Sequence, residues 1–300
     1  MAMIPFDDRD GFIWMNGEML PWRDAKLHVL THALHYASAV FEGERVYGGQ
    51  IFKLTEHTER LHRSANILDF QIPWSVAEID QACRDVIAKN NIVDGYVRPI
   101  AWRGSEMMGV SGQGALPKLA IACWEWPAYF SADARMQGIR MDWAMYDRPD
   151  PRTAPTSAKA AGLYMICTLS KHKAEAAGYS DALFKDYRGY LAEGTGANLF
   201  LVIDGKLHTP TPDCFLDGIT RRTVIDLARR NKIEVIERHI LPEELDKAQE
   251  VFICGTAVEV TPVREIAGKM FTPGQVCRTL MDAYDAEVRK PVSVMASDAA

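Results

Sequence analysis

The order of apolar and polar residues in the first fifty positions is typical of short β-strands joined by tight turns. Apolar runs at residues 12–15 and 18–20 flank Asn16-Gly17, which is the strongest short-range signal for a hairpin. The segments 40–47 and 50–53 flank Gly48-Gly49 in the same way. The chain is therefore predicted to begin with β-hairpins.

Beyond residue 54 the apolar residues recur at the period of an α-helix. Residues 55–68 place three apolar side chains on one face, and a second helix is predicted to start at Ser75, which can form a capping box with Glu78. Further helices are predicted over residues 160–177, from residue 220 onward, and over residues 274–289. Strands are predicted at residues 95–102, 118–125, 139–145, 233–237 and 250–254, with hairpins at residues 182–191 and 199–208.

A stretch with weak periodicity divides the chain. Residues 127–136 contain Pro, Ala, Ser and Asp, a composition typical of a linker. The sequence therefore predicts a small N-terminal α/β domain over residues 1–126, an interdomain linker over 127–136, and a large C-terminal α/β domain over 137–300. Both domains are expected to contain sheets built largely from hairpins, and the tail from Pro291 is expected to be loose.

The charge balance and the cysteine pattern argue against several classes of protein. The 300-residue chain has a formal net charge of −6, and its Lys and Arg residues are scattered among acids, which is unlike a nucleic-acid-binding protein. It has no apolar run of about eighteen residues, as a membrane span needs, and its N-terminus lacks the pattern of a signal peptide. Its 6 cysteines form no C-x-x-C pair, so they are predicted to be reduced thiols of a cytoplasmic protein. His32 and His35 have no third ligand beside them, so no metal site is predicted.

Four short segments, in a fixed order, contain the residues that could perform catalysis. Lys159 lies among small residues, and Glu193 precedes a Gly-Thr-Gly turn. Gly218-Ile219-Thr220 opens a predicted helix, and Gly255-Thr256-Ala257 follows a buried strand. One amine, one carboxylate and two anion-binding turns are the groups needed to hold an aldehyde cofactor that carries a phosphate and a basic ring nitrogen.

Each segment taken alone has an ordinary structural explanation. Lys159 could be a solvated helix lysine, Glu193 an exposed turn residue, and Thr220 a plain N-cap. Arg60, at the edge of a helix stripe, could lie on the surface or reach a phosphate. Arg98 differs, because an arginine inside an apolar strand needs an anion, such as a substrate carboxylate.

Several motifs in one order together resemble a known family. The most specific of them are His32-Ala33-Leu34-His35-Tyr36, Phe41-Glu42-Gly43, Arg60-Leu61-His62-Arg63-Ser64-Ala65, Tyr96-Val97-Arg98-Pro99, Glu193-Gly194, Gly218-Ile219-Thr220-Arg221 and Gly255-Thr256-Ala257-Val258-Glu259-Val260-Thr261-Pro262-Val263. The chain resembles the fold-type-IV pyridoxal-phosphate-dependent aminotransferases, which have a two-domain, D-amino acid aminotransferase-like fold. It is most similar to the branched-chain amino acid aminotransferases, and the resemblance covers about residues 12–266.

The resemblance implies roles in binding the cofactor, pyridoxal 5′-phosphate. Lys159 would bond the cofactor covalently and move the proton, Glu193 would partner the ring nitrogen, and Tyr164 would hydrogen-bond the ring hydroxyl. The residues that resemble the phosphate cup are Arg60, Ile219, Thr220 and Thr256.

The resemblance also implies a substrate pocket and an oligomer. Arg98 lies with Thr256 and Ala257 where the family binds the α-carboxylate. The residues that match the side-chain pocket are Tyr36, Phe41, Gly43, Trp126 and Tyr129. Tyr36 and Val110 would come from a partner subunit, so a homodimer or a higher homo-oligomer is expected.

The implied reaction transfers the amino group of L-leucine, L-isoleucine or L-valine to 2-oxoglutarate by a ping-pong cycle, in branched-chain amino acid biosynthesis. Arg45 is the candidate to bind the γ-carboxylate of the acceptor. An (R)-selective amine or D-amino acid aminotransferase, an aminodeoxychorismate lyase and a non-catalytic cofactor-binding protein remain as alternatives; intact Lys159 and Glu193 argue against the last.

The sequence departs from the family pattern at three places, one of which is a pair of residues. Ala197 stands where a second glutamate is frequent, Glu44 where the residue is often apolar, and Ala37-Ser38 where a pair beginning with glycine is usual. None of them replaces Lys159 or Glu193, so they bear on substrate preference.

Overall fold

The computed structural model describes residues 4–126, 129–131 and 136–290. The described strands form two sheets, one from residues 12–125 and the other from residues 139–270. Helices pack on both sheets, as the predicted α/β class requires. No helix in these ranges combines the length and the apolar composition needed to cross a membrane.

The first sheet has seven strands in the order β2-β1-β7-β6-β4-β5, with β3 paired to β6, and all its pairs are antiparallel. The strands are β1 (Phe12–Met15), β2 (Glu18–Pro21), β3 (Ala39–Phe41), β4 (Glu44–Tyr47), β5 (Gln50–Ile51), β6 (Gly95–Arg103) and β7 (Pro117–Glu125). A short helix, α1 (His32–Tyr36), precedes β3, and two longer helices, α2 (Leu54–Ile67) and α3 (Val76–Lys89), pack against the sheet. Their apolar faces share one core with the sheet, including Leu61, Ile79, Val97 and Ile121.

The local signals in this half have the expected physical basis. Asn16 and Gly17 have φ angles of 53° and 97°, the left-handed conformations that a two-residue hairpin turn needs. The capping box that starts α3 is also present, with Ser75 Oγ accepting from Glu78 N at 3.3 Å and Glu78 Oε2 accepting from Ser75 N at 2.7 Å.

The second sheet has nine strands in the order β10-β9-β8-β15-β14-β11-β12-β13, with β16 paired to β15. They are β8 (Ile139–Trp143), β9 (Asp181–Lys185), β10 (Leu191–Gly194), β11 (Asn198–Ile203), β12 (Lys206–Pro210), β13 (Val235–Arg238), β14 (Glu250–Gly255), β15 (Glu259–Ile266) and β16 (Lys269–Met270). The helices of this half are α4 (Met165–Ala176), α5 (Ile219–Arg230) and α6 (Gln275–Val288). One face of the sheet packs against α5 and α6 through Phe200, Val224, Phe252 and Leu280.

Four details of the fold differ from the prediction. The run 40–47 is interrupted at Glu42-Gly43, so it forms two strands that both pair with β6. The helix predicted over 160–177 begins as a 3₁₀ turn, Ala161–Tyr164, before α4. Strand β15 was not predicted, because Pro262 and several polar residues hide its pattern. The large sheet is only partly built from hairpins, since the pairs β8–β9, β8–β15 and β12–β13 are parallel.

Two predictions fall wholly or partly outside the described residues. The linker 127–136 includes residues 127–128 and 132–135, and the tail from Pro291 lies entirely beyond the described range. The domain boundary therefore stays a prediction, with which the division of the strands between the two sheets is consistent.

Candidate active site

An open cavity lies between α2 on one side and the turns of the nine-stranded sheet on the other. The seven residues predicted to bind the cofactor all line it: Arg60, Lys159, Tyr164, Glu193, Ile219, Thr220 and Thr256. The fold thus brings together side chains that lie on five separate segments of the sequence.

The backbone at Lys159 is held by the seven-stranded sheet and its helix α2. Lys159 N donates to Ser64 Oγ at 3.0 Å, and Lys159 O accepts from Phe41 N at 3.1 Å. The next residue, Ala160, forms an isolated β-bridge with Val40. Because both polar backbone groups of Lys159 are bonded, its side chain enters the cavity from a fixed point.

The Lys159 amine meets a hydroxyl and an aromatic face. Its Nζ donates to Tyr164 Oη at 2.8 Å and lies 4.9 Å from the centre of the Phe41 ring. Burial, together with the nearby charge of Arg60, lowers the pKa of Lys159 to about 8. An amine with this pKa is uncharged in a useful fraction at neutral pH, as a nucleophile or base must be.

Glu193, at the end of β10, is the carboxylate of the cavity and is buried. Its Oε1 lies 3.3 Å from Arg148 Nε, and its Oε2 accepts from Asn198 Nδ2 at 3.3 Å. Burial raises the pKa of Glu193 to about 7, against the opposing effect of Arg148 and Lys159. A further cation beside this carboxyl would keep it ionised at neutral pH.

Two glycine turns supply backbone groups to the cavity. Gly218 is the N-cap of α5 and makes no side-chain cap, so the first-turn N–H groups are not capped by its side chain. A Cβ at Gly218 would overlap the Asn198 carboxamide oxygen, and one at Gly255 would lie 3.1 Å from Gly196 O. Only glycine permits these close approaches without movement of the neighbouring groups.

Arg60 reaches the cavity from α2 and is fixed by a buried acid. Its Nε and Nη2 donate to the two oxygens of Glu42 at 2.7 and 2.8 Å, and His57 Nδ1 lies 2.7 Å from Glu42 Oε2. Burial alone would raise the pKa of Glu42, but Arg60 and His57 hold it well below its usual range. The guanidinium is therefore oriented by a bidentate pair and is not the surface arginine that the sequence left as an alternative.

Phe41, Gly43 and Arg98 lie close together on β3, β6 and the connection that follows β3. The Phe41 ring packs edge-on against Tyr164, with the ring centres 4.8 Å apart. The Arg98 guanidinium lies 4.9 Å from the Phe41 ring and 5.4 Å from the Tyr96 ring. The Tyr96 hydroxyl occupies the space that a side chain at Gly43 would need.

Arg45, Trp126 and Tyr129 continue the aromatic and cationic surroundings. Trp126 stacks on Tyr129 with ring centres 6.1 Å apart, and it lies 5.3 Å from Tyr96. Arg45 is buried over the Tyr47 ring, and its Nε and Nη1 have no hydrogen-bond partner within the described part of the chain. Arg98 Nε is likewise buried and unpaired there.

Tyr36 and Val110 lie apart from the cavity of this chain. Tyr36 is 42% exposed and Val110 is 85% exposed, and neither lines the cavity. Of the substrate-binding residues that the sequence predicts, Thr256 lines the cavity and Ala257 follows it in the same turn.

The departures from the family pattern have distinct surroundings. Ala37 ends α1 with a φ angle of 54°, a left-handed conformation that glycine adopts more easily. Ala197 is buried and lines the cavity. Glu44 is fully buried with neither carboxyl oxygen hydrogen-bonded within the described residues, and burial raises its pKa well above the usual value.

Four residues of the site were not assigned roles from the sequence. Glu42 orients Arg60, Arg148 and Asn198 contact Glu193, and Tyr96 fills the space beside Gly43. Glu42 and Tyr96 lie in motifs that the resemblance did contain, and Asn198 directly follows Ala197. Nothing in the sequence around Arg148, apart from its place in the segment Asp147-Arg148-Pro149, indicates a role in the site.

A family comparison explains this arrangement. The model of the amino-transferase class IV family matches residues 39–266. The chain belongs to the class IV aminotransferases, so the predicted resemblance and the predicted enzyme class are confirmed.

Two relatives of this chain carry the same enzyme name. The chain is 42% identical over 284 residues to a branched-chain-amino-acid aminotransferase of Pseudomonas aeruginosa, covering 92% of each protein. It is 45% identical over 263 residues to the enzyme of that name from Escherichia coli, covering 86% of this chain and 85% of the relative.

Solved structures give the same result for the fold. The T.th. branched-chain amino acid aminotransferase with pyridoxamine 5′-phosphate superposes with a TM-score of 0.91 at 38% identity, covering 94% of this chain and 96% of that one. Structures of that enzyme with N-(5′-phosphopyridoxyl)-L-glutamate and with 4-methylvaleric acid superpose with TM-scores of 0.89 and 0.88 at the same identity and coverage. The predicted fold class is therefore confirmed.

Proposed function

We propose that this chain is a pyridoxal 5′-phosphate-dependent aminotransferase that transfers the amino group of L-leucine, L-isoleucine or L-valine to 2-oxoglutarate. The observation that carries the proposal is one cavity in which an amine, a carboxylate and two glycine turns meet. The names of the relatives, and the cofactor forms bound to the solved structures, support the same reaction.

The residues present fit the cofactor at three points. Lys159 supplies the amine, Glu193 supplies a buried carboxylate for the ring nitrogen, and the first turn of α5 with Arg60 supplies donors for a phosphate. When bound, the cofactor supplies an aldehyde that bonds an amine and a ring that accepts electrons from the substrate carbon.

The protein contributes proton transfer and fixed charge. With the cofactor bound, Lys159 Nζ, with its lowered pKa, would take the proton from the substrate carbon and deliver it to the carbon of the former aldehyde group. Tyr164 Oη, 2.8 Å away, orients this amine. Glu193 would stabilise a positive charge on the ring nitrogen, and Arg148 favours the ionised form of this carboxylate.

The surroundings suit a substrate with one carboxylate and an apolar group. Phe41 and Trp126 offer apolar surface, and Arg98 has a buried Nε without a partner in the described residues. The T.th. enzyme binds both 4-methylvaleric acid and a cofactor adduct of L-glutamate. We extend this dual specificity to the present chain, with Arg45 as the candidate for the γ-carboxylate of 2-oxoglutarate.

We propose further that the active unit is a homodimer or a higher homo-oligomer. Two segments, residues 27–36 and 107–116, expose a concentration of large apolar side chains: Leu27, Val29, Leu30, Leu34, Tyr36, Met107, Met108, Val110 and Leu116. The two segments contact each other, since His32 Nε2 lies 2.9 Å from Gly109 O. Exposed apolar side chains concentrated in this way are typical of a subunit interface, and the two segments contain both residues that we expect in a partner's pocket.

Two broader predictions belong to the same proposal. The division into residues 1–126 and 137–300 agrees with the two separate sheets. A cytoplasmic location is supported by the six free cysteines, all of them buried.

An amino-donor panel tests the substrate class. Purified protein with added pyridoxal 5′-phosphate and 2-oxoglutarate is assayed with L-leucine, D-alanine and (R)-1-phenylethylamine, and glutamate formation is measured. We expect L-leucine to react fastest and Lys159→Ala to abolish turnover. Faster turnover of the amine or of D-alanine would favour the runner-up activities, and a fully active Lys159→Ala protein would refute the cofactor assignment.

A further inference from the structure

Tyr47 is a residue of the seven-stranded sheet that is buried in the hydrophobic core of the nine-stranded sheet. Within the described part of the chain, it is the one buried residue of its sheet in that core. It is the last residue of β4, yet its side chain is 4% exposed and packs among Val224, Phe252 and Leu280. The guanidinium groups of Arg45 and Arg289 lie 5.2 and 5.7 Å from its ring centre. Because Tyr47 is fixed by these contacts, a movement of the first sheet would move the groups of the second sheet that are bonded to Tyr47.

The Tyr47 hydroxyl is bonded to the end of one glycine turn. It donates to Glu259 Oε1 at 2.8 Å. Glu259 pairs with Gly255 across β14 and β15, so it closes the turn that contains Thr256 and Ala257. Glu259 has a φ angle of 55°, a left-handed conformation that a glutamate rarely adopts. The hydrogen bond from Tyr47 therefore helps to hold a strained residue at the base of this turn.

The same hydroxyl is connected to the other turn through Tyr284. Tyr284 lies on α6, is 2% exposed, and its hydroxyl lies close to the side chains of both Tyr47 and Thr220. Thr220 lies in the first turn of α5 and lines the cavity. One side chain from the first sheet is thus linked to both anion-binding turns of the second.

We propose that Tyr47, acting with Tyr284 and Glu259, is a positioning residue that sets the two anion-binding turns of the cavity relative to each other. The Tyr284 branch positions the α5 turn, which would receive the cofactor phosphate. The Glu259 branch positions the Thr256-Ala257 turn, which would receive the substrate carboxylate and, through Thr256, would also contact the phosphate. This inference rests on the proposed function for the identity of those two ligands.

The isosteric change Tyr47→Phe removes both branches and keeps the packing. Affinity is measured for pyridoxal 5′-phosphate and for pyridoxal, which lacks the phosphate, on the apo-protein. We expect the dissociation constant of pyridoxal 5′-phosphate to rise about tenfold, the effect of one lost hydrogen bond to the turn, and that of pyridoxal to change less than about twofold. KM for L-leucine should rise by a similar factor, with kcat nearly unchanged.

Tyr284→Phe separates the two branches and also serves if Tyr47→Phe does not fold. It breaks the link to Thr220 and leaves the bond between Tyr47 and Glu259, so it should weaken phosphate-dependent affinity without raising KM for L-leucine. The control is Tyr179→Phe, which removes another tyrosine–glutamate contact, with Glu265, away from both turns.

The results separate this inference from the proposed function. Equal losses for pyridoxal 5′-phosphate and pyridoxal, or a control variant that behaves like Tyr47→Phe, would show a merely structural role and overturn the inference. A wild-type protein that binds neither compound and turns over no amino acid would instead refute the proposed function.

Discussion

Replacing Glu193 by glutamine tests the electrostatics of the site most directly. Glutamine keeps the shape of the side chain and can still accept a hydrogen bond from Asn198 Nδ2, which lies 3.3 Å from Glu193 Oε2. It removes the negative charge that faces Arg148 at 3.3 Å and would face the ring nitrogen. The variant should therefore still bind the cofactor and lose rate.

The size of the loss follows from the strength of a buried charge-assisted hydrogen bond. Such a bond contributes about 3 kcal/mol at its upper range, and each 1.36 kcal/mol corresponds to about a factor of ten in rate. We expect kcat to fall roughly a hundredfold. The free energy of unfolding should also fall, because Arg148, 5% exposed, is left buried without its carboxylate partner.

The assay is a single-turnover reaction with L-leucine, followed by the absorbance of the bound cofactor, after occupancy has been measured separately. Glu265→Gln is the matched control, since Glu265 also pairs with an arginine, Arg140, but does not line the cavity. An unchanged rate in a fully occupied Glu193→Gln protein would refute the role of Glu193. An equal loss of rate in the Glu265→Gln control would show that losing any arginine–glutamate ion pair slows the reaction, and that the charge of Glu193 has no special role.

Three further outcomes follow from the site and its surroundings. Because the pKa of Lys159 is lowered to about 8, the rate at which apo-protein bonds the cofactor should fall about tenfold per pH unit below pH 8 and level off above it; a plateau only above about pH 10, as for an ordinary lysine, would contradict this. The pKa of Glu44 is raised in the folded protein, so the folded state keeps a proton that the unfolded state releases. The free energy of unfolding should therefore decline as the pH rises above the pKa of an unfolded glutamate, about 4.3. Glu44→Met should remove that decline and add about 1–3 kcal/mol to the free energy of unfolding at pH 8, as measured by urea titration; equal slopes with pH would argue against it. Arg98→Met should raise KM for L-leucine by about tenfold or more while kcat changes less, and an unchanged KM would remove Arg98 from carboxylate binding.

The sequence predicted the elements whose signals are local. The hairpin at Asn16-Gly17 and the capping box at Ser75 depend on residues within four positions of each other, and both are present. The start of α5 after Gly218 has the same origin. Strand β15 was missed because Pro262 and polar residues interrupt its apolar pattern. Pro262 pairs only with β14, and the pairing with β8 begins one residue later at Val263.

The sequence could predict which residues belong to the candidate site, but not which side chains form hydrogen bonds or ion pairs with them. The order of glycine turns, amine and carboxylate identified Lys159 and Glu193 from the resemblance. The partners of these groups come from distant segments, as with Arg148 beside Glu193 and Glu42 beneath Arg60. Such pairs depend on the crossing of elements in space, and no spacing in the sequence encodes that geometry.

The contact between Gly43 and Tyr96 restricts how this pocket can change by mutation. Any side chain at position 43 would collide with the Tyr96 hydroxyl, so a single substitution there forces the buried Tyr96 side chain to move. Shortening Tyr96 first would open the position, which makes the effect of one mutation conditional on the other. A search for altered substrate range by single substitutions should therefore find no gain at Gly43. A library that varies residues 43 and 96 together would contain pairs of substitutions that are missed when residue 43 is changed first and alone.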